Sequence, residues 1–156
     1  MQISTATVLL FVIAGLRPVI AETPPAKPPL GVPADARYFN HHWYRLYLDK
    51  ATWRQARGRC EDLHGQLVVI PDAATQDFVR KVADGRQIWL GATNEHSQHG
   101  KYKWVDGTDL TFQAWDHGQP SGGNEHFLEI WKKDGSWNDG VLNDAYVVGY
   151  ICEWKG

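Results

Sequence analysis

Apolar and polar positions first alternate and then change to a helical repeat along the front half of the chain. Residues 36–48, ARYFNHHWYRLYL, alternate apolar and polar side chains, which predicts two adjoining strands in a hairpin. From Thr52, a favourable N-cap residue, the apolar positions recur at helical spacing until Gly65, so we predict a helix there. The apolar positions of this helix are Trp53, Ala56, Cys60 and Leu63.

A short strand and a second helix follow in the pattern. Residues 66–70, QLVVI, are rich in β-branched side chains and end at Pro71, which predicts a strand. Asp72 then provides an N-cap, and Gly85 marks the expected end of a helix. Phe78, Val79 and Val82 lie on one face of this predicted helix.

The second half of the chain has a different pattern, in which short strands are separated by long polar stretches. The predicted strands lie within IWLGAT (88–93), KYKWVDG (101–107), HFLEIW (126–131) and YVVGYICEW (146–154). The stretches between them are rich in Gly, Asn, Asp and His. Because long unstructured loops are uncommon in compact domains unless they are functional or disordered, we expect the functional site to lie in these loops.

The first residues of the chain have the composition of a targeting segment. VLLFVIAGL, within residues 1–21, is short for a membrane span and is followed by a small-residue cleavage pattern, so we predict a signal peptide. A retained membrane anchor is the alternative. Residues 22–35 are proline-rich and predict an extended leader, and residues 36–156 are the right length for one domain. The resulting expectation is a secreted or periplasmic protein without stable membrane insertion after cleavage.

Charge and cysteine content narrow the classes of protein further. Without residues 1–21 the chain has 15 Lys+Arg against 18 Asp+Glu, a net charge of −3, which argues against a nucleic-acid partner. The chain has two cysteines, Cys60 and Cys152, and an even number in an exported protein favours a disulfide. Two buried free thiols are the alternative.

Several motifs in order between about Tyr38 and Trp154 resemble the C-type lectin-like domain. The similar segments are RCEDLHGQLVVI (59–70), IWLGAT (88–93), YKWVDGTDLTFQAW (102–115), GQPS (118–121), WND (137–139) and YICEW (150–154). The resemblance implies an α+β fold, with two helices flanking small antiparallel sheets and a long loop region. It also implies an outer disulfide between Cys60 and Cys152.

The chain departs from the family at the inner disulfide. Phe127 occupies the position of one expected cysteine, and residues 142–144 occupy the region of the other. A phenylalanine can pack where a half-cystine would lie, but it does not tie the loop covalently. The resemblance therefore implies a single-domain type with one bridge, as in bacterial-looking sequences.

The same resemblance assigns a calcium and carbohydrate site to the GQPSGGNE loop (118–125) and the WND motif. Calcium prefers six to eight oxygen ligands, which carboxylates, amide oxygens and backbone carbonyls provide. In the family the loop proline, here Pro120, is in the cis form, so that both flanking side chains point the same way. The implied ligands are Gln119, Ser121, Glu125, Asn138 and Asp139, the last also through its backbone carbonyl.

The resemblance further implies that a sugar binds when two vicinal hydroxyls complete the calcium shell. The same side chains then bond the hydroxyls, because amide nitrogens donate hydrogen bonds and carboxylates accept them. Ser121 is neutral where the family usually has Asn or Asp, so we expect a calcium dissociation constant of ~10⁻⁴ to 10⁻³ M. Gln119 ahead of the proline resembles the galactose-type pattern, although residues 122–124 offer no aromatic platform.

A second calcium ion, frequent in the family, is not expected. Asn94, Glu95 and Gln98 stand at the matching places, where acids are usual, and His126 follows Glu125 instead of an acid.

Other classes of site have weaker support in the sequence. The histidines show no close ligand pair in helical register, so zinc is not expected, and surface or loop positions suit them better. They are His41, His42, His96, His99, His117 and His126. No phosphate-binding loop or nucleophile elbow is present, which indicates that the protein is not an enzyme.

Two alternatives to a calcium-dependent lectin remain open from the sequence. A metal-independent module of the same fold that binds a protein partner is favoured by Ser121 and Phe127 and opposed by the retained ligand set. A glycosidase would use Glu125 and Asp139 as an acid and base pair.

Overall fold

A computed structural model describes residues 25–97 and 99–156, which form two helices and eight strands. The predicted signal peptide and residues 22–24 of the leader lie outside the described residues. In chain order the elements are β1 (Arg37–Phe39), β2 (His42–Tyr47), α1 (Trp53–Asp62), β3 (Gln66–Leu67), α2 (Ala73–Ala83), β4 (Ile88–Thr93), β5 (Lys103–Trp104), β6 (Phe127–Ile130), β7 (Trp137–Gly140) and β8 (Gly149–Lys155).

The strands join into one continuous sheet of order β1-β2-β8-β4-β6-β7, with β3 paired to β8 and β5 paired to β4. The pairs are antiparallel except for β4 and β8, which run parallel where Ile88 meets Gly149 and Trp89 meets Tyr150. The α+β class is confirmed. The two helices and the antiparallel pairings are present as expected, and the parallel β4–β8 pairing links the strand pairs from the two halves of the chain into one sheet.

Both helices begin where the sequence predicts and end slightly earlier. Thr52 and Gln55 form a capping box at the start of α1, and the Asp72 carboxylate accepts a hydrogen bond from the Thr75 backbone N–H at 2.7 Å at the start of α2. The α1 helix stops at Asp62, before Gly65. At the end of α2 the left-handed position is Asp84, with φ of 52°, and not Gly85 alone.

The QLVVI segment is a strand over Gln66–Leu67 only, although its remaining residues are buried. Its backbone still bonds to β8 and to β4: the Val68 N–H donates to Ile151 O at 3.0 Å, and Val68 O accepts from the Gly91 N–H at 2.9 Å. A side chain at Gly91 would lie 2.6 Å from Leu67 O, so glycine permits this close crossing of main chains.

The disulfide between Cys60 and Cys152 joins α1 to β8 inside the core, which excludes the alternative of two free thiols. Both cysteines are fully buried, and their Cα atoms are 5.4 Å apart, within the normal range for a bridge. Val32 of the proline-rich segment packs against the same core cluster, so contact with the core begins before Ala36.

Within residues 25–97 and 99–156, no helix combines the length and apolar character that crossing a membrane requires.

Candidate functional site

The candidate loop lies between β5 and β6 and turns through a cis peptide bond. The bond between Gln119 and Pro120 is cis, as the resemblance to the family implies. The Gln119 backbone N–H donates to Asp116 O at 3.0 Å, which closes the turn ahead of the proline. Gly122 and Gly123 both have positive φ, a conformation that glycine adopts without steric cost. The loop therefore returns towards the sheet at Ser121.

Strand β7, which carries the WND motif, was not predicted as a strand, and it is positioned by Trp137. This side chain is fully buried, and its indole N–H donates to Gln76 Oε1 on α2 at 2.9 Å. Its backbone N–H donates to Ala114 O at 2.8 Å, which ties the segment ahead of the candidate loop to β7. Three aromatic rings meet Trp137 edge-on and fix its place: Trp104, Phe112 and Trp115.

Ser121, Glu125 and Asp139 are brought together by hydrogen bonds. Asp139 Oδ1 accepts from the Ser121 backbone N–H at 2.8 Å, and Asp139 Oδ2 accepts from the Gly122 N–H at 2.7 Å. The Ser121 hydroxyl donates to Glu125 Oε2. Both carboxylates thus contact one serine, and their role as calcium ligands stays a prediction.

The charges of these two carboxylates also affect the pKa of Tyr102. Burial raises the pKa of the Tyr102 hydroxyl, and the negative charges of Asp139 and Glu125 raise it further. The hydroxyl lies 3.5 Å from Glu125 O, so Tyr102 is close to the loop. This pKa effect is what two nearby anions should produce.

Gln119 contributes a buried oxygen with no hydrogen-bond partner. Its Oε1 atom is shielded from solvent and accepts no bond from any described residue. Buried polar atoms are nearly always hydrogen-bonded, so this orphaned amide oxygen in the candidate loop is suited to a group that the protein chain does not supply. A cation or a hydroxyl proton would satisfy it.

Asn138 is directed differently from the other candidate ligands. Its Nδ2 atom donates to Glu129 Oε1 and to Asp139 O, both at 2.8 Å. In the β6–β7 register Asn138 pairs with Glu129 and Asp139 pairs with Leu128, so the two neighbours face opposite sides of the strand. Only the Oδ1 atom of Asn138 is left for a ligand, and its role stays a prediction.

Glu129 is a buried polar residue that the sequence analysis missed. It is fully buried. Its Oε1 accepts hydrogen bonds from Asn138 Nδ2 at 2.8 Å and from Gln87 Nε2 at 3.1 Å, and its Oε2 has no partner among the described residues. Burial raises the pKa of the Glu129 carboxyl to about 7, against the lowering effect of the two amide bonds. The one sequence clue is a single acid inside the apolar run HFLEIW (126–131).

The residues at the place of a second ion already have partners in the chain. Asn94 Oδ1 contacts His126 Nδ1 at 2.8 Å, and Asn94 Nδ2 donates to Gly100 O at 3.3 Å. Glu95 forms an ion pair with Arg54. Gln98 lies outside the described residues, and the expected absence of this ion stays a prediction.

The donors at the loop are oxygens, which suits a hard cation. No group of three His, Cys, Asp or Glu side chains that could hold a metal occurs in the part of the chain that the structure describes. The loop and β7 each offer one carboxylate, Glu125 and Asp139, and the remaining ligands would be amide, hydroxyl or carbonyl oxygens. This mixture fits calcium better than zinc or copper, which prefer nitrogen and sulfur. The candidate ligands are thus chemically suited to the ion that the fold family implies.

Comparisons with known proteins give the same family as the motifs. The family model described as the lectin C-type domain matches residues 49–154. The chain is 36% identical over 120 residues to hepatic lectin of Gallus gallus, covering 74% of this chain and 56% of that protein. It is 35% identical over 124 residues to asialoglycoprotein receptor 2 of Mus musculus, covering 74% of this chain and 39% of that protein. The chain thus spans about half or less of these relatives.

A solved structure supports the fold. The chain is similar to the cow C-type carbohydrate-recognition domain of CD23, crystallised in the presence of a GlcNAc2Man3 oligosaccharide, with a TM-score of 0.73 and 31% identity. The match covers 80% of this chain and 96% of that chain. The relatives are lectins and receptors, which confirms the expectation that the domain is not an enzyme.

Proposed function

We propose that this chain, which belongs to the C-type lectin domain family, binds carbohydrate through a calcium ion held by the loop of residues 118–125 and by β7. The observation that carries the proposal is the convergence of Glu125 and Asp139 on Ser121, in the same loop as the buried, unpartnered Gln119 Oε1. An oxygen-rich cluster with one unmet acceptor is what a calcium site requires before it is filled.

The ion would be held by five residues, and it would supply a positive centre that attracts two neighbouring sugar hydroxyls. Gln119 contributes Oε1, Glu125 and Asp139 contribute carboxylates, and Asn138 contributes Oδ1 because its Nδ2 is committed to Glu129. Ser121 contributes its hydroxyl, which the Glu125 carboxylate orients.

The side chains of the loop would also bond the sugar directly. The Gln119 amide nitrogen can donate to one hydroxyl, while Glu125 accepts from the next, so a vicinal diol finds both a donor and an acceptor. Gln119 ahead of Pro120 resembles the galactose-type pattern, which leads us to propose a galactose-type terminal sugar. The Cys60–Cys152 disulfide supports an oxidising, extracytoplasmic location.

The test is retention on immobilised galactose and on immobilised mannose, each with calcium and with a chelator. The matched variants are Glu125→Gln, which removes one candidate ligand charge, and Glu61→Gln, which changes an exposed α1 carboxylate paired with Arg57. We expect calcium-dependent retention of the parent and of Glu61→Gln, and loss for Glu125→Gln. Retention unchanged by chelator, or shared equally by both variants, would contradict the calcium mechanism.

A second candidate function, a metal-independent module that binds a protein, is supported by one observation. Both oxygens of Asp139 already accept backbone hydrogen bonds, and Ser121 already bonds Glu125, so part of the loop is satisfied without an ion. In this alternative calcium does not bind the native state and so cannot stabilise it. The thermal midpoint should then be the same in calcium and in chelator.

A further inference from the structure

A cavity of about 380 Å³ lies between α1 and β5, and none of the five candidate calcium ligands lines it. Small-molecule sites in proteins have volumes of about 300 to 1,000 Å³, so this cavity is large enough for one small ligand. Trp53 of α1, Trp104 of β5 and Val105 form its apolar floor. The floor thus joins a helix to the sheet at a place that the proposed carbohydrate site does not use.

Hydrogen bonds to β4 hold the floor of this cavity in place. The Trp53 indole N–H donates to Leu90 O at 2.8 Å, and the Val105 backbone N–H donates to Gly91 O at 2.7 Å. Trp104 belongs to the β4–β5 pairing, and its ring is almost completely buried. The floor is therefore formed by the fold itself, as is usual for small-molecule sites.

The rim of the cavity is basic. The lining includes three cations and two histidines: Arg57, Lys101, Lys103, His96 and His99. No described lining residue carries a carboxylate. Because the whole chain has a net charge of −2, this positive rim is a local feature and does not follow from the composition.

Lys101 and Arg57 are the two cations of the rim with groups left for a ligand. The Lys101 ammonium forms no ion pair with any residue that the structure describes, while its backbone N–H donates to Ser97 Oγ at 2.8 Å and fixes the turn. The Arg57 side chain bonds Glu61 through Nε at 2.8 Å, in an exposed pair of the kind that contributes little to stability. The terminal nitrogens of its guanidinium can therefore donate to an anion.

The acids nearest to the cavity are paired at its outside. Glu95 forms an ion pair with Arg54, and Asp109 forms one with Lys103 at 3.2 Å. Asp109 offsets the charge of Lys103, but neither acid lines the cavity. The charge available to a ligand is therefore concentrated at Lys101 and Arg57.

We propose that this cavity binds a small organic anion, with an apolar ring on the floor and an acidic group at Lys101 and Arg57. Ligand pockets combine apolar walls, which bury the body of the ligand, with a few polar groups that orient it. An inorganic anion would leave the floor unused, and an uncharged ligand would leave the basic rim unused. Since the calcium ligands lie elsewhere, this binding needs no calcium ion.

The test measures binding to the full chain by calorimetry, first in chelator and then in calcium. The probes are naphthalenesulfonate, the uncharged naphthalenemethanol and inorganic sulfate. We expect naphthalenesulfonate to bind about tenfold more tightly than naphthalenemethanol, as one charge-assisted hydrogen bond can provide. Sulfate at equal concentration should not displace it, and calcium should leave its affinity unchanged.

Four charge-removing variants separate the rim from the general charge of the protein. Lys101→Gln and Arg57→Gln should each weaken naphthalenesulfonate binding about threefold to fivefold and leave naphthalenemethanol binding unchanged. The matched controls are Lys133→Gln and Arg37→Gln, which remove exposed cations outside the cavity and should change neither affinity.

Equal affinity for the two naphthalene probes, or equal effects of all four variants, would overturn the inference. Sedimentation with phosphatidylserine vesicles without binding of the free probe would also overturn it, because the basic rim would then belong to a membrane-binding surface. Each of these outcomes leaves the calcium-dependent carbohydrate site untouched, since that site shares no ligand residue with the cavity.

Discussion

Replacing Glu129 by glutamine should stabilise the domain at alkaline pH and have little effect in acid. The change removes the charge but keeps an Oε1 atom to accept the bonds from Asn138 and Gln87. The new amide nitrogen would replace Oε2, which has no partner to lose. Because the side chain is fully buried, the difference in charge should dominate the result.

The magnitude follows from the two pKa values of the carboxyl. Burial raises the pKa of Glu129 to about 7 in the folded protein, from an ordinary value of 4.5. Between these values the folded protein binds the proton and the unfolded chain does not, so stability decreases as the pH rises from about 4.5 to about 7. The two pKa values differ by about 2.5, and each pKa unit is worth about 1.4 kcal/mol, so the loss approaches ~3 kcal/mol above neutrality.

We therefore expect Glu129→Gln to raise the free energy of unfolding by about 1 to 3 kcal/mol at about pH 8, and to change it little at about pH 4.5. The assay is urea denaturation at both values in the presence of chelator, so that no bound ion contributes. Glu61→Gln is the control, because an exposed ion pair contributes at most about 1 kcal/mol. A variant that is less stable than the parent at about pH 8 would show that the buried carboxyl is stabilised as the anion, contrary to the reasoning.

Three further predictions concern the bridge, the close crossing of chains and the loop. Replacing Cys60 and Cys152 together by alanine should lower the free energy of unfolding by about 4 kcal/mol, because the bridge closes a separation of 92 residues. Denaturation of the parent with and without reductant should show the same loss. Gly91→Ala should lower the free energy of unfolding by about 1 to 3 kcal/mol, because its Cβ would lie 2.6 Å from Leu67 O. Its control, Gly58→Ala in α1, places a Cβ with no atom within 4 Å and should raise the free energy of unfolding by about 0.5 to 1 kcal/mol; equal denaturation midpoints for the two variants would contradict this. Ser121→Asp should tighten calcium binding about tenfold by adding a charged ligand, and calorimetry showing weaker binding would contradict the assigned ligand position.

The order of the main elements follows from local chemistry that the sequence displays. Thr52 and Asp72 begin the helices because their side-chain oxygens accept free backbone N–H groups, and this preference needs no knowledge of the fold. The cis bond at Pro120 and the Cys60–Cys152 bridge follow from the resemblance to the family.

The remaining features depend on contacts between distant segments. Glu129 is buried because β6 lies between β4 and β7, and nothing in its neighbouring residues reveals that position. The direction of Asn138 depends on its register opposite Glu129, which alternation along β7 alone does not define. Trp115 appears beside the loop only because the chain between β5 and β6 folds back onto Trp137.

The central claim is that the loop and β7 together hold a calcium ion. Calorimetric titration of calcium into chelator-treated protein tests it most directly, with Glu125→Gln as the variant and Glu61→Gln as the matched control. The account predicts one ion per chain with a dissociation constant of ~10⁻⁴ to 10⁻³ M, at least tenfold weaker in Glu125→Gln and unchanged in Glu61→Gln. No heat of binding up to about 10 mM calcium, or identical titrations for the parent and Glu125→Gln, would contradict it.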